Sequence, residues 1–596
     1  MLTKIADRLK RKMTYKMMKM TKFILITLVA GLLAVSCGDG DKGEGKATGK
    51  AGSSQPEQEK ATGGEKKAED PAPAEKKSGK PAVSTEEKEK ESTASSKGEE
   101  SGEWTQWGRD SSKNMVSPAK DIPSDISAGD EVGDGEIDVK TAKHAKWIVK
   151  LGSQAYGTPT VSGGRVFVGT NNEEPRNPKI IGDRGILMCF DEATGDFNWQ
   201  LVVPKLGAGK VSDWEFLGIC SSPTIDGKYG YVVTNRGEVI KFDTYGLSDG
   251  NDGPFKEEGK YMGGGIEGVN KGTAEAVELG EKDGDIIWGF DMREEVGAFP
   301  HNITSSSVVL GDGKVFASTS NGVDWSHINI PQPLSPCLIA IDQETGKLVG
   351  EEGSGIGERI MHCNWSSPGY GEIAGMKTVV FGAGDGWCYG FGTEGKEDAD
   401  GFKILPEMWK VDVCPKEYRF DEKGEKIKYA TYPGPSEVIS SPVIYNNKVY
   451  AVIGQDPEHG EGVGAITCID PSKGSEEKAV VWQFKGLGRT ISSPSIKDGL
   501  LYIADYSGKI YCLDAETGAL YWEHDTLSHI WGSTLLVDGK VFLGNEDGEL
   551  IILKAGKEKE VLGAVEFPAP IYSTPVVANG TLYIMTQTHL YAYQKK

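Results

Sequence analysis

A short motif, a small residue followed by Ser or Thr and then Pro or an apolar residue, recurs along most of the chain and restricts its fold more than any other feature. It stands at Gly157-Thr158-Pro159-Thr160, Ser221-Ser222-Pro223-Thr224, Ser305-Ser306-Ser307-Val308, Ser366-Ser367-Pro368, Ser440-Ser441-Pro442-Val443, Ser492-Ser493-Pro494-Ser495, Gly532-Ser533-Thr534-Leu535 and Ser573-Thr574-Pro575-Val576. Behind each copy lies a β-branched or aromatic run such as Val166-Phe167-Val168 or Leu582-Tyr583-Ile584, usually followed by a Gly and a third run ending in Asp. Short runs separated by turn residues are strands, three or four to a repeat. Eight units in tandem, each packing on its neighbours, predict an all-β fold: an eight-bladed β-propeller of four-stranded antiparallel blades.

The turn between the third and fourth strands is the most regular piece. It reads Asp191-Glu192-Ala193-Thr194-Gly195 before Trp199, Asp514-Ala515-Glu516-Thr517-Gly518 before Trp522, and Asp342-Gln343-Glu344-Thr345-Gly346 with Gly350 in the Trp place. Asp bonds its own turn backbone, Gly takes positive φ, and the Trp is expected to fill the gap between sheets. The eighth copy runs only from Ser573 to Tyr593 and lacks an outer strand, whereas Ala145-Lys146-Trp147-Ile148-Val149 stands unpaired before the first copy. Pairing that N-terminal strand with the C-terminal blade would close the ring and remove an exposed edge.

Ahead of the repeats the chain changes character. A basic stretch (Lys10, Arg11, Lys12, Lys16, Lys19, Lys22) precedes the apolar run Phe23 to Val35, too short to span a bilayer as a helix, and then Ser36-Cys37. This resembles a bacterial lipobox, so residues 1–36 are read as a lipoprotein signal peptide and Cys37 as the lipidated residue. Residues 37–103 are rich in Lys, Glu, Gly and Ser and almost without large apolar side chains. Such a segment is expected to be a disordered tether with an r.m.s. reach of roughly 45 Å. Residues 104–596 form the expected propeller domain. The net charge of −22, with no basic stripe, argues against nucleic acid as a partner.

The Asp-x-x-Thr-Gly-x-x-x-Trp turns, the eightfold count, and the opening Trp107-Gly108-Arg109-Asp110 through Asn114-Met115-Val116-Ser117 resemble the pyrroloquinoline quinone (PQQ) repeat propellers. That superfamily holds quinoprotein alcohol dehydrogenases and non-catalytic relatives such as the outer-membrane assembly factor BamB, a lipoprotein. The resemblance implies, for an oxidase, a Ca²⁺ held by Glu and Asn, an Asp base, a Trp under the cofactor and a disulfide of adjacent Cys residues. Asn321 retains the metal Asn. The Glu position is Ile180, the Asp position is Ser366, no Cys-Cys pair exists, and Phe299 to Ser305 contains no Trp. No catalytic residues and no cofactor are therefore expected, with PQQ and calcium as the alternative.

Aligning the copies places Tyr156, Cys220, Thr304, Trp365, Ile439, Ile491, Trp531 and Tyr572 in a ring near the channel mouth. His301, Asn302, His362, Glu437, Arg489 and His529 fall just above it, and Trp325 and His327 project from the insertion beside Asn321. Aromatic faces with convergent polar groups suit a binding pocket, so His301, Asn302, Asn321, Trp325, His362, Trp365, Glu437, Arg489, His529 and Trp531 are the candidate ligand-binding residues. No third ligand beside His301 and His362 is evident, so no metal is expected. Asp249-Gly250-Asn251-Asp252-Gly253 imitates part of a calcium loop but reads as a turn. Cys189, Cys388, Cys468 and Cys512 occupy third-strand places too far apart to bridge, while a disulfide among Cys220, Cys337, Cys363 and Cys414 is left open. The functional expectation is a non-catalytic envelope lipoprotein that binds other envelope proteins or an extracellular polymer and sits in a membrane through its lipid anchor. Gly38 after the lipidated Cys carries no inner-membrane retention signal, which favours the outer membrane. The alternative is a divergent PQQ-dependent dehydrogenase.

Overall fold

The computed structural model describes residues 102–264 and 275–595. The signal peptide, Cys37 and nearly all of the tether lie outside the described residues. Eight sheets carry the eight copies, with innermost strands Thr160–Ser162, Thr224–Asp226, Val309–Gly311, Gly369–Ile373, Val443–Tyr445, Ser495–Lys497, Leu535–Val537 and Val576–Ala578. Each innermost strand opens just after its Ser/Thr motif. Six of the sheets have four strands and no more, while blades three and seven gain strands from elsewhere in the chain.

The ring closes as the sequence predicts. Strand Ala145–Lys150 pairs antiparallel with His589–Tyr593, setting Ala592 opposite Trp147 and Leu590 opposite Val149. The turn motif also behaves as expected: Asp191 Oδ1 accepts from the amides of Ala193 and Thr194 at 2.9 Å, and Asp514 Oδ1 does the same for Glu516 and Thr517. Its glycine has a second duty. At Gly195, Gly346 and Gly518 φ is positive, and a Cβ would come within 2.6 to 2.8 Å of the rings of Trp147, Trp288 and Trp482, each from the preceding blade. The indole N–H groups of these Trp residues donate to the same turns, at Glu192 O, Gln343 O and Ala515 O. The tryptophan of one blade thus sits on the turn glycine of the next, which joins neighbours by apolar burial and one hydrogen bond.

Blade three, with Gly350 where a Trp is expected, solves the same packing problem with residues from blade four. An excursion of blade four adds strands Lys396–Glu397 and Lys403–Leu405 to the outer edge of blade three, and Leu405, fully buried, packs against Gly350.

Before the first blade, residues 102 to 117 run as a strap across one end of the channel. Backbone hydrogen bonds tie Trp104 to Val161, Thr105 to Ile225, Ser111 to Tyr370, Ser112 to Ile444 and Met115 to Leu536, while the Asn114 amide exchanges two bonds with Ile496. These partners lie on the inner strands of six blades, and Gly102 adds a bond to Asn579 in the turn of blade eight. Val116–Ser117 then extends blade seven as a parallel inner strand. Lys113, with no exposed surface, hydrogen-bonds Gln106 Oε1 and Trp107 O inside the strap.

All eight cysteines of the described residues are free thiols, and Cys189, Cys388, Cys468 and Cys512 stand on third strands as predicted.

Candidate functional site

The Ser/Thr motif forms a belt around the axis. Thr158 N donates to Ser222 Oγ, Ser222 N to Ser307 Oγ, and Ser307 N to Ser367 Oγ, each within 2.9 Å. On the other side Ser441, Ser493, Ser533 and Thr574 continue the chain of bonds back to Thr158. Ser441 Oγ instead accepts from Trp107 Nε1 at 2.8 Å, so the strap is fastened to the belt. Seven of the eight hydroxyls are buried one-to-one links between adjacent blades and the eighth holds the strap, which explains why the repeat demands Ser or Thr there.

Two residues before each belt position the side chains point into a cavity of about 410 Å³. Tyr156, Cys220, Trp365, Ile439, Ile491, Trp531 and Tyr572 line it as predicted, with Trp107 of the strap lining it too. Thr304 does not. The belt member in blade three is Ser307, so the lining residue is Ser305, one place later than the sequence alignment put it. Blade three lacks the motif's Pro, and in the run Ser305-Ser306-Ser307 nothing else marks the register. The rings of Tyr156 and Tyr572 stack at 5.1 Å with Trp531 tilted against both. Asn302, Asp456 and Glu458 contribute polar groups to the lining, and no Lys or Arg is among the lining residues.

Beside this cup, behind Trp365, four histidines gather. His301 Nε2 lies 2.8 Å from His362 Nε2, and ring nitrogens of His301, His327 and His362 all fall within 4.8 Å of one another. His459 packs 5.2 Å from His362, and its buried Nδ1 has no hydrogen-bond partner. His362 also meets the Trp365 ring edge-on at 5.0 Å. The third imidazole that the sequence did not reveal is therefore His327, exposed at the tip of its insertion.

Hydrogen bonding fixes the tautomer of His301 and ties that of His362 to the protonation of Glu437. Val323 O can only accept, so His301 Nδ1 donates to it at 2.6 Å and His301 Nε2 is bare. On the other ring, His362 Nδ1 lies 3.1 Å from the Tyr429 hydroxyl, which lies 2.9 Å from Glu437 Oε1. If Glu437 is ionised, Tyr429 donates to it, His362 Nδ1 donates to Tyr429, and the two Nε2 lone pairs face each other. If Glu437 carries a proton, the chain runs the other way and His362 Nε2–H donates to His301. Burial raises the Glu437 carboxyl well above its ordinary range, pushes His301 down to about 4 and depresses His362 and His459.

The remaining predicted residues divide. Asn302 joins cup and cluster, its amide donating to Asp456 Oδ2 at 3.2 Å. Trp325 is exposed near the mouth, 6.3 Å from the His327 ring. His529 stacks on Tyr506 at 4.4 Å beside Glu546, on the Trp531 side of the rim and apart from the histidine cluster. Arg489 donates from Nη1 to the carbonyls of His459 and Glu461, which ties it to that loop. Asn321 is likewise spent on structure, accepting from Phe299 N and donating to Gln332 O. Tyr429, Asp456 and His459 lie on insertions that share no repeat register and were not predicted, while His327 was placed beside Asn321 without being recognised as a partner of His301 and His362.

A PQQ–calcium pair does not fit these residues. Asn321 has both ends of its amide engaged, Ser366 Oγ donates to Ser440 O between blades, and Ile180 is a buried apolar residue. The cup also offers no cation to the carboxylates of such a quinone. The calcium-like loop is satisfied internally, since Lys228 Nζ lies 2.7 to 3.1 Å from Asp243, Asp249 and Asp252.

Residues 462–561 match a family model described as outer membrane protein assembly factor BamB. No curated protein matches the sequence. Among solved structures, the quinohemoprotein alcohol dehydrogenase ADHIIG from Pseudomonas putida HK5 aligns with a TM-score of 0.51 at 13% identity, covering 83% of this chain and 81% of that one. BamB from Moraxella catarrhalis aligns with a TM-score of 0.46 at 13% identity, covering 76% of this chain and 97% of its own. At such identity the dehydrogenase shares the propeller fold, and fold alone does not fix chemistry.

Proposed function

We propose that this protein is a lipid-anchored cell-envelope binding protein, whose propeller holds a ligand or a segment of a partner at its loop-rich face and carries out no quinone-dependent oxidation. The observation that carries this reading is the cup. It is crossed at one end by the strap and walled by aromatic rings, and the positions that would hold a calcium and a base are engaged in the scaffold. Concave aromatic surfaces with a few polar groups bind ligands without needing a catalytic base.

A second feature supports a protein or polymer partner. Ile181, Phe216, Trp325, Ile328, Tyr432 and Leu527 are exposed apolar side chains, and all lie on loops that join strands at the mouth end. Apolar side chains gathered on the loops of a rigid scaffold mark interaction surfaces. Placement in the envelope, anchorage at Cys37 and a preference for the outer membrane rest on the sequence. Among the described residues no helix is long and apolar enough to cross a membrane.

Two measurements test the reading. Addition of PQQ and Ca²⁺ is expected to give no bound-quinone absorbance and no alcohol- or sugar-dependent dye reduction; a stoichiometric, active complex would refute it. Pull-down from cross-linked envelopes is expected to recover a partner that Trp365→Ala or Tyr432→Asp releases, and retention by both variants would remove the mouth face as the binding surface.

A further inference from the structure

We propose that His301, His327 and His362 bind one divalent transition-metal ion of the zinc type at the rim of the cup. The three imidazoles come from three separate loops. His301 follows the outer strand Asp285–Asp291 of blade two, His327 lies between Lys314–Ser318 and Leu338–Asp342 of blade three, and His362 follows the outer strand Leu348–Glu352 of blade three. No sequence motif brings them together, yet one ring nitrogen from each falls within 4.8 Å of the others. Three imidazole nitrogens converging in this way, with one side left open, is a donor set that zinc and its neighbours in the first transition row accept.

The surroundings supply what such ligands need. A metal-bound imidazole uses its second nitrogen as a donor to a carbonyl or a carboxylate, which fixes the ring and aims the bare nitrogen. His301 Nδ1 has Val323 O at 2.6 Å, and His362 Nδ1 has the Tyr429 hydroxyl, backed by Glu437. Without an ion the 2.8 Å separation of the two Nε2 atoms is a hydrogen bond, and an ion would take the place of its proton, with His362 Nδ1 then donating to Tyr429 and both Nε2 atoms free to ligate. Two nitrogens on one tetrahedral ion stand about 3.3 Å apart, so the pair has to open by about 0.5 Å. His327 is exposed and gives the ion a path from solvent, while His301 and His362 are buried. An ion there would fasten the insertion carrying Trp325 and His327 to the cup wall at Trp365, which touches His362.

The test uses the full chain with Co²⁺ and Zn²⁺ as probes. One Co²⁺ per chain is expected, with visible d–d bands and no thiolate charge-transfer band, displaced by Zn²⁺. Because His327 is exposed, His327→Ala should leave the thermal unfolding of the metal-free protein unchanged while weakening binding at least about 100-fold, and Tyr429→Phe should weaken it about tenfold. His524→Ala, on the outer strand Leu520–Asp525 of blade six, should bind as the parent does. Absence of d–d bands, a thiolate band, or binding undiminished by His327→Ala would overturn the proposal. None of these readouts depends on a partner or on quinone binding.

Discussion

The ring of Trp147 lies over Gly195, and its indole nitrogen donates to Glu192 O at 3.0 Å, so a residue from ahead of the first blade completes the eighth and seals it to the first. Trp147→Ala should cost about 3–5 kcal/mol, the usual range for a buried Trp. Gly195→Ala should cost about 1 kcal/mol or more, because φ is +78° and the new methyl meets the Trp147 ring. The double variant should be less destabilised than the sum, since removing the ring relieves the clash. Denaturant midpoints of the four proteins check this; strict additivity would mean the two residues do not touch.

Lys113 should make stability depend on pH. Burial lowers its ammonium from 10.5 to about 7, against a smaller raising influence from Asp110. The folded state therefore binds fewer protons than the unfolded state between pH 7 and 10.5, and stability rises with pH through that window. The destabilisation is largest below pH 7, where the fold has to bury the charged ammonium, at about 3–5 kcal/mol if the whole shift is felt. Lys113→Met should flatten the profile of unfolding midpoint against pH above 7. A parent profile already flat there would contradict the assignment.

Ser493 Oγ is the acceptor for the buried Ser441 amide at 2.9 Å. Ser493→Ala leaves that amide unpaired and should cost about 1–3 kcal/mol, whereas Ser493→Thr should recover most of the loss, as Thr158 and Thr574 serve in the same belt. Equal destabilisation by both variants would show that the acceptor is not what the position supplies.

Arg489 was read from sequence as a ligand contact, but its bonds go to the carbonyls of His459 and Glu461. Arg489→Ala should raise hydrogen exchange in residues 457–462 while leaving the blade strands protected. Protection unchanged in that loop would put Arg489 back among the free groups of the rim.

What the sequence could show depended on periodicity. Ser222, Ser367 and Ser493 recur at a fixed place before a Pro and a strand, so blade count, cup lining and ring closure were all legible from the repeat. Blade three shows the limit. Its missing Pro cost the alignment one residue, turning Ser305 into Thr304, and its missing Trp gave no hint that Leu405 of another blade would fill the gap. The strap was invisible for a different reason. It touches the inner strands of five blades through one or two backbone hydrogen bonds each and a sixth through the Asn114 amide, which imposes almost no pattern on side chains. His327 and His459 stand on insertions whose spacing obeys no repeat, so only coordinates bring them beside His301 and His362.

If the strap, which lines the cup with Trp107 and is fastened at Ser441, shuts that end of the channel, the cup has one doorway. Whatever enters between the rims of Trp365 and Trp531 would have to back out the same way, past the insertion that bears Trp325 and His327. Residence time would then be set by that insertion's freedom to swing aside and not by passage through the barrel, and shortening the chain beyond residue 107 would turn a vessel into a conduit.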